Sequence, residues 1–313
     1  MSRTLHDIEA IRAKIDQKDK ELYDLLIDRT DLVMQIGAAK KHISQENSEN
    51  NISFRPAREA QIMRSLLEKE SGHLPKSVLI SIWREMIASY CALQADFSVC
   101  YWGDLEPDPV RDMVRYYFGH TVNVKRCMTV TAVLNMISEK KATIGILPSP
   151  DIANGNDANW WLNIAGETSI SGVLPFVKSD PANKVYGTYY FLSQIAPEPT
   201  GEDIFVLNVS TVPEISRMTV VMFLRDMGYE ARSLSISDDL DAGTRMHLIE
   251  VDGYVATEMI NEFNTQFAKV SEGKVLSSRI LGQFPAPYDL APPVEEEDED
   301  NVQETTKTLV APF

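Results

Sequence analysis

One long amphipathic segment, Leu5 to Lys41, carries cations where a helix of its kind carries aliphatic side chains. Its apolar positions recur at alternating three- and four-residue steps: Ile8, Ile11, Ile15, Leu22, Leu25, Leu32 and Ile36. That spacing is the seam of a helix that packs against other helices. Arg29 falls on the seam itself, and Lys40 lies almost on the same stripe. A guanidinium buried without an anion costs several kcal/mol, so the seam requires a neighbouring carboxylate or an anionic ligand. At ~100° per residue, Arg29 and Lys40 differ by about 20° around the axis and face one space. Arg12 lies roughly 100° from Arg29 and about 25 Å along the helix, too far to reach the same ligand from the same chain.

The next sixty residues add two further helices. A polar, Asn-rich stretch from Ser44 to Ser53 precedes the run FRPARE, in which Pro56 suits a first helical turn before the amphipathic run Ala57 to Leu67. After a break from Gly72 to Pro75, Val78 to Gln94 predicts a third helix with Ile82, Trp83, Met86, Ile87 and Leu93 as its apolar face. Taken singly, the polar residues here are unremarkable. Arg58 and Glu59 read as a solvated helix start, Gln94 as surface, and Lys40 as a cation near a helix C-terminus.

In order, however, LHDIEAIRAKID, LLIDRTDLVMQIGAAKK, RPARE and SIWREMIASYCALQ closely resemble the all-helical class of chorismate mutases, over Leu5 to about Asp96. The resemblance implies a cofactor-free, metal-free pericyclic rearrangement of chorismate to prephenate. Such an enzyme holds the reactive conformer and stabilises the charge that grows on the ether oxygen. It implies Arg29 and Arg12 as carboxylate clamps, Arg12 coming from a partner subunit, with the planar fork of arginine suited to that task. Lys40 would donate to the ether oxygen and a carboxylate, Gln94 would be the second donor there, and Glu59 would accept from the ring hydroxyl. Arg58 stands where the family places another cation near the substrate. Three features depart from relatives: Tyr90 at a position often held by a small hydroxyl residue, Arg55 where some carry an acid, and a longer 44–53 loop.

A helix of about 37 residues is ~55 Å long, whereas a ninety-residue domain is only about 26 Å across. The first helix must protrude, and its seam calls for an intertwined homodimer with active sites shared between chains.

The 313 residues suffice for two or three domains. Hydrophobic residues make up 44% and no apolar run is long enough to span a bilayer, so no membrane partner is expected. A net charge of −16 argues against nucleic acid. Cys91, Cys100 and Cys127 lack metal-ligand spacing and, with a start that reads as helix rather than secretory signal, suggest a cytoplasmic setting.

From Phe97 the pattern turns to strands. FSVCYWG, Val122 to Arg126 and ATIGILP alternate with helices at Pro109 to Phe118 and Val130 to Glu139, which predicts a small parallel-sheet lobe. This stretch resembles the first lobe of a prephenate dehydratase in degraded form. The expected Gly-Pro-rich loop reads GDLEPDP, Ser149 and Pro150 replace a Glu-Asn pair, and Thr188, Tyr189 and Tyr190 stand for a Thr-Arg-Phe motif without its arginine.

The last ordered segment predicts β-α-β-β-α-β: strands Asp203 to Ser210, Glu230 to Ser237, Arg245 to Asp252 and Val275 to Phe284, with helices Pro213 to Met227 and Ala256 to Val270. That order is ferredoxin-like and resembles an ACT domain, an amino-acid-sensing module, with its effector motifs replaced by Glu214 to Ser216 and Leu234 to Ser237. The acidic run EEEDED introduces a tail that reads as disordered.

The expectation is therefore a multi-domain α plus α/β chain. It comprises a helical mutase domain (1–96), a reduced dehydratase-like lobe (97–200), an ACT-like domain (201–290) and a tail (291–313). Dehydratase activity and phenylalanine sensing are expected to be lost. The alternatives are a working bifunctional mutase–dehydratase and a non-catalytic helical scaffold. One test needs only the sequence. Gln94→Glu should make activity depend on acid, because a neutral carboxyl donates a hydrogen bond to the ether oxygen and an ionised one repels its charge. A Gln94→Glu rate that is flat with pH removes Gln94 from the site.

Overall fold

In the computed structural model, which describes residues 2–47, 53–103, 108–153, 155–178, 187–239 and 241–290, three helices precede a strand-rich remainder. Helix α1 runs Ser2–Asn47, α2 Pro56–Leu67 and α3 Lys76–Gln94. The first helix extends past the predicted Lys41 and takes in the start of the stretch read as a polar loop, of which residues 48–52 lie outside the described residues. Pro56 opens α2 behind an extended Arg55, as its fixed φ favours.

The two outer helices behave differently. Residues 7–28 of α1 are all exposed, including the seam residues Ile8, Ile11, Ile15, Leu22 and Leu25. Helix α2 is fastened down instead. Arg64 donates to Thr200 Oγ1 at 2.9 Å and to the carbonyls of Glu202 and Ala286 at 2.8 and 2.6 Å, and Arg55 pairs with Glu198 at 2.5 Å.

The strands are β1 Ser98–Trp102, β2 Asn123–Cys127, β3 Ile144–Pro148, β4 Ser169–Leu174, β5 Val177–Lys178, β6 Tyr189–Ser193, β7 Asp203–Thr211, β8 Ala231–Asp239, β9 Thr244–Asp252, β10 Val275–Pro285 and β11 Tyr288–Asp289. Helices α4 (Pro109–Phe118), α5 (Val130–Ser138), α6 (Arg217–Asp226) and α7 (Ile260–Val270) interleave with them. Asp108, Thr129 and Ser216 cap α4, α5 and α6 by accepting backbone N–H groups in the first turn. The Ser216 cap is why α6 begins at Arg217 and not at the predicted Pro213.

Nine strands form one sheet in the order β2-β1-β3-β6-β4-β10-β7-β9-β8. The three strands expected to form a parallel lobe do so, and strands the sequence did not predict extend the sheet beyond them. Strands β1, β2 and β3 are parallel, but β6 runs antiparallel to both β3 and β4. The chain leaves β3 through a 3₁₀ segment at Gly155–Asn163 and enters β4, which runs parallel to β3 with the antiparallel β6 between them. The last four long strands take the antiparallel order β10-β7-β9-β8, with α6 and α7 on one face over Phe205, Phe263 and Phe267. A second core lies between α2, α3, α4 and the sheet, centred on Phe54, Phe97, Phe118 and Phe191. No helix among the described residues is long and apolar enough to cross a membrane.

The sheet is continuous across the junction at residue 200 through a single parallel register pair, Gly282 with Ile170. A Cβ at Gly282 would overlap the backbone of Ile170, so only glycine allows the two halves to meet. Gly282→Val should therefore lower the thermal midpoint by more than about 10 °C or abolish soluble folding, as overpacking against rigid backbone does. A melt within about 2 °C of the parent shows that the junction carries no stability.

Candidate functional site

Helices α1 and α3 lie side by side through a close approach at Gly37. A methyl there would meet Gln94 Cγ at 3.1 Å, which explains a glycine in a helix interior where it otherwise weakens the helix. Gln94, only 9% exposed, donates its amide N–H to the Val33 carbonyl at 3.1 Å. A carboxamide has two N–H donors, so this bond fixes the amide while one donor remains.

One helical turn earlier on α3, the half-buried Tyr90 places its ring 4.6 Å from the Arg29 guanidinium, and its hydroxyl meets Thr30 Oγ1 at 3.3 Å. The residue that departs from the mutase pattern thus serves as the platform that orients Arg29, by cation–π attraction. Arg29 Nη1 is buried, yet among the described residues it has no hydrogen-bond acceptor. Such an orphaned charged donor is rare in folded proteins and marks a place where an acceptor belongs.

Lys40 and Glu59 flank the Cys91 thiol. Burial pushes that thiol up to about 12, with the Glu59 charge adding to the effect and the Lys40 charge opposing it. The thiol is consequently inert at neutral pH. Glu59 is ion-paired to Arg84 (Nη1 to Oε1, 2.9 Å), and burial nonetheless holds its carboxyl above the ordinary range, the arginine only partly offsetting the desolvation.

Arg29 and Gln94 thus both lie at the contact of α1 with α3, and the charges of Lys40 and Glu59 both reach the Cys91 thiol of α3. It leaves Arg12 and Arg58 exposed, Arg12 on the uncovered half of α1. Arg84, 1% exposed, went unnoticed in the sequence, where WRE on an amphipathic helix reads as its polar face. Gly37 was also missed, though a glycine inside a 46-residue helix is itself a signal of close approach.

The open grooves of about 500 and 570 Å³ lie elsewhere, near Ser98, Asn123 and Lys141, and none of the six candidates lines them. Among the described residues, no group of three His, Cys, Asp or Glu side chains is placed to hold a metal ion.

In the strand-rich part, the positions matched to dehydratase motifs do converge. The Ser149 N–H donates to the Thr188 carbonyl at 2.8 Å. Tyr190 donates its hydroxyl to Glu250, which is 2% exposed and paired with Arg232. Tyr189 is buried.

The Gly37 contact is testable by itself. Gly37→Ala should leave the helix as stable or stabilise it by up to about 1 kcal/mol. By displacing Gln94 it should lower kcat at least about tenfold. Melting curves and steady-state kinetics check the opposed signs, and a variant with parental kcat refutes the role given to the contact.

Residues 11–95 match the chorismate mutase type II family. Curated relatives include the bifunctional chorismate mutase/prephenate dehydratases of Stutzerimonas stutzeri and Aquifex aeolicus. The first is 26% identical over 47% of this chain and 40% of its own, the second 26% over 61% and 55%. The chain spans about half the length of these relatives. A solved prephenate dehydratase from Streptococcus mutans aligns with 61% of this chain and 99% of its own, at 12% identity and a TM-score of 0.42. The helices that carry Arg29, Lys40, Glu59 and Gln94 accordingly form a chorismate mutase type II domain.

Proposed function

We propose that this protein converts chorismate to prephenate in aromatic amino-acid biosynthesis. The observation that carries the reading is Arg29, a half-buried cation with a buried, unsatisfied donor, on the same helical face as Lys40 and at the α1–α3 contact that also holds Gln94. In this reading Arg29, fixed on Tyr90, takes one substrate carboxylate. Lys40 and the second amide hydrogen of Gln94 meet the ether oxygen, where negative charge develops only in the transition state. Glu59 accepts from the ring hydroxyl. No proton is transferred and no covalent intermediate forms, so positioning and fixed charge supply the whole acceleration.

Arg12 completes the site from a second copy of the chain, with Arg58 near the entrance. The exposed seam of α1 supports this, because a row of half-exposed aliphatic side chains of that length marks an interaction surface. The strand-rich half is then a dehydratase-like lobe and an ACT-like unit without their ligands, in a cytoplasmic enzyme. Beside the Thr188–Tyr190 strand Arg232 is already paired with Glu250, which supports the loss of dehydration, since a dianionic substrate needs cations available to bind it.

The purified protein should form prephenate from chorismate, produce no phenylpyruvate from prephenate, and keep its rate and melting point in millimolar phenylalanine. Lys40→Ala should lower kcat more than it raises KM. Arg12→Ala and Arg29→Ala should each be nearly inactive. Mixed after unfolding and refolding, they should regain about a quarter of parental activity, because half the dimers carry one intact site of two. Absence of turnover by the parent refutes the mutase reading, and absence of recovery on mixing refutes the shared site.

A further inference from the structure

Glu59 and Arg84 form a largely buried ion pair on the inner side of the mutase helices, and its second wall belongs to the strand-rich half. Arg84 directs Nη1 to Glu59 Oε1 at 2.9 Å and lays its guanidinium 3.5 Å from the centre of the Tyr117 ring on α4. Tyr117 is buried in its turn and accepts the Phe176 backbone N–H, which fixes the ring. The small cavity beside the pair, about 30 Å³, is lined by Glu59, Arg84, Tyr117, Phe118, Phe176 and Phe191 among others, and holds no more than a water or two. Arg84 Nε is buried there without an acceptor among the described residues, and the space beside it is too small for a substrate. The carboxylate partner of Arg84 is the residue that the mutase reading assigns to the substrate hydroxyl.

We infer that Arg84 is the positioning residue for Glu59, and that the strand-rich half serves the mutase site by holding Arg84 against Tyr117. The inference rests on the mutase reading. Arg84 engages Oε1, which leaves Oε2 for the hydroxyl, and it opposes the desolvation that raises the pKa of the carboxyl. The other groups that face Glu59 do not substitute for it. From α3 the Cys91 thiol is neutral, from α4 the Tyr117 phenol is kept neutral by burial, and from α1 the Lys40 charge acts on Cys91 while the charge that lowers the Glu59 pKa is that of Arg84. Strands β4 and β6 present Ser171, Gly172 and Phe191, none of which titrates. On α2 itself, Arg55 is committed to Glu198 and Arg58 is exposed.

The sign follows from the ionised form being the competent acceptor. Activity is present above the Glu59 pKa and is lost as pH falls through it. That loss sits above the ordinary carboxylate range because burial raises the pKa. Removing Arg84 removes the charge that lowers it, so the loss moves to higher pH.

The test is the pH dependence of kcat and KM on chorismate for the full chain and its Arg84→Gln, Glu59→Gln and doubly substituted forms. Arg84→Gln should move the acid limb up by about one pH unit or more and lower kcat at neutral pH at least about tenfold, with KM changed less. Glu59→Gln should abolish the limb, and adding Arg84→Gln to it should change kcat by less than about twofold. An unmoved limb in Arg84→Gln, or an equal loss of rate on both backgrounds, overturns the assignment. Should Arg84→Gln fail to fold, Arg84→Lys carries the test. Lysine keeps the charge without the planar fork, so kcat should fall at least about fivefold, and parental kcat and limb overturn the inference. A parent chain without turnover refutes the mutase reading itself, whereas an active parent with indifferent Arg84 variants refutes only the role of Arg84.

Discussion

An aliphatic stripe left in water along residues 7–28 of α1 is the constraint to which the rest of the molecule answers. Each buried Leu or Ile stabilises by about 1.5–3 kcal/mol, so a row of them that a single chain cannot cover is a strong drive to association. The same half-helix carries Arg12, well away from Arg29 along the axis. Under the proposed reading, the contact that buries the stripe also delivers a cation to the substrate. Folding, assembly and catalysis would then draw on one surface, and the candidate site is open on the side from which that surface would come.

The opposite wall is built in another way. Helix α2 is tied to the strand-rich half by Arg55 and Arg64, and α3 by Arg84 on Tyr117. Three arginines, two of them buried, cost desolvation unless their acceptors are fixed beforehand. The acceptors here are backbone carbonyls, a threonine hydroxyl and carboxylates on folded elements. A wall held in this fashion does not drift, which is what a reaction driven by positioning requires of the groups that touch its substrate.

Much of this was legible in the sequence because periodicity encodes it. The 3.6-residue period located all three helices to within a few residues and placed Arg29 and Lys40 on one face. Other features have no such signature. Strands β4 and β6 are short and buried on both faces, so SISGVL and YYFLS show no alternation to read. The antiparallel pairing of β6 between β3 and β4 is a property of topology and not of local pattern. Arg84 was hidden because an arginine between Trp83 and Glu85 looks solvated. Its burial depends on α4 being folded against α3, a contact some thirty residues away in sequence. Tyr90 was visible as a departure from the family, but its use as a platform for Arg29 required the packing of α3 on α1.

Under the proposed reading, the strand-rich half is a foundation for the mutase site and not a dehydratase cleft. The segments around Ser149 and Thr188 meet through a backbone hydrogen bond, as two strand ends at a binding site would. What they present is neutral hydroxyls and aromatic rings, with Glu250 behind Tyr190. A dianion needs fixed cations at such a place, and Arg232, the nearby cation, is already paired with Glu250. Filling the space with Tyr189, Tyr190, Trp160 and Trp161 instead exchanges affinity for packing, since large aromatic side chains dominate the energetics of a core. Rigidity gained there passes through the shared sheet and α4 to Tyr117, and from Tyr117 to Arg84. Under the proposed reading, a lobe without a ligand of its own would in this way still govern where one carboxylate stands in the mutase domain.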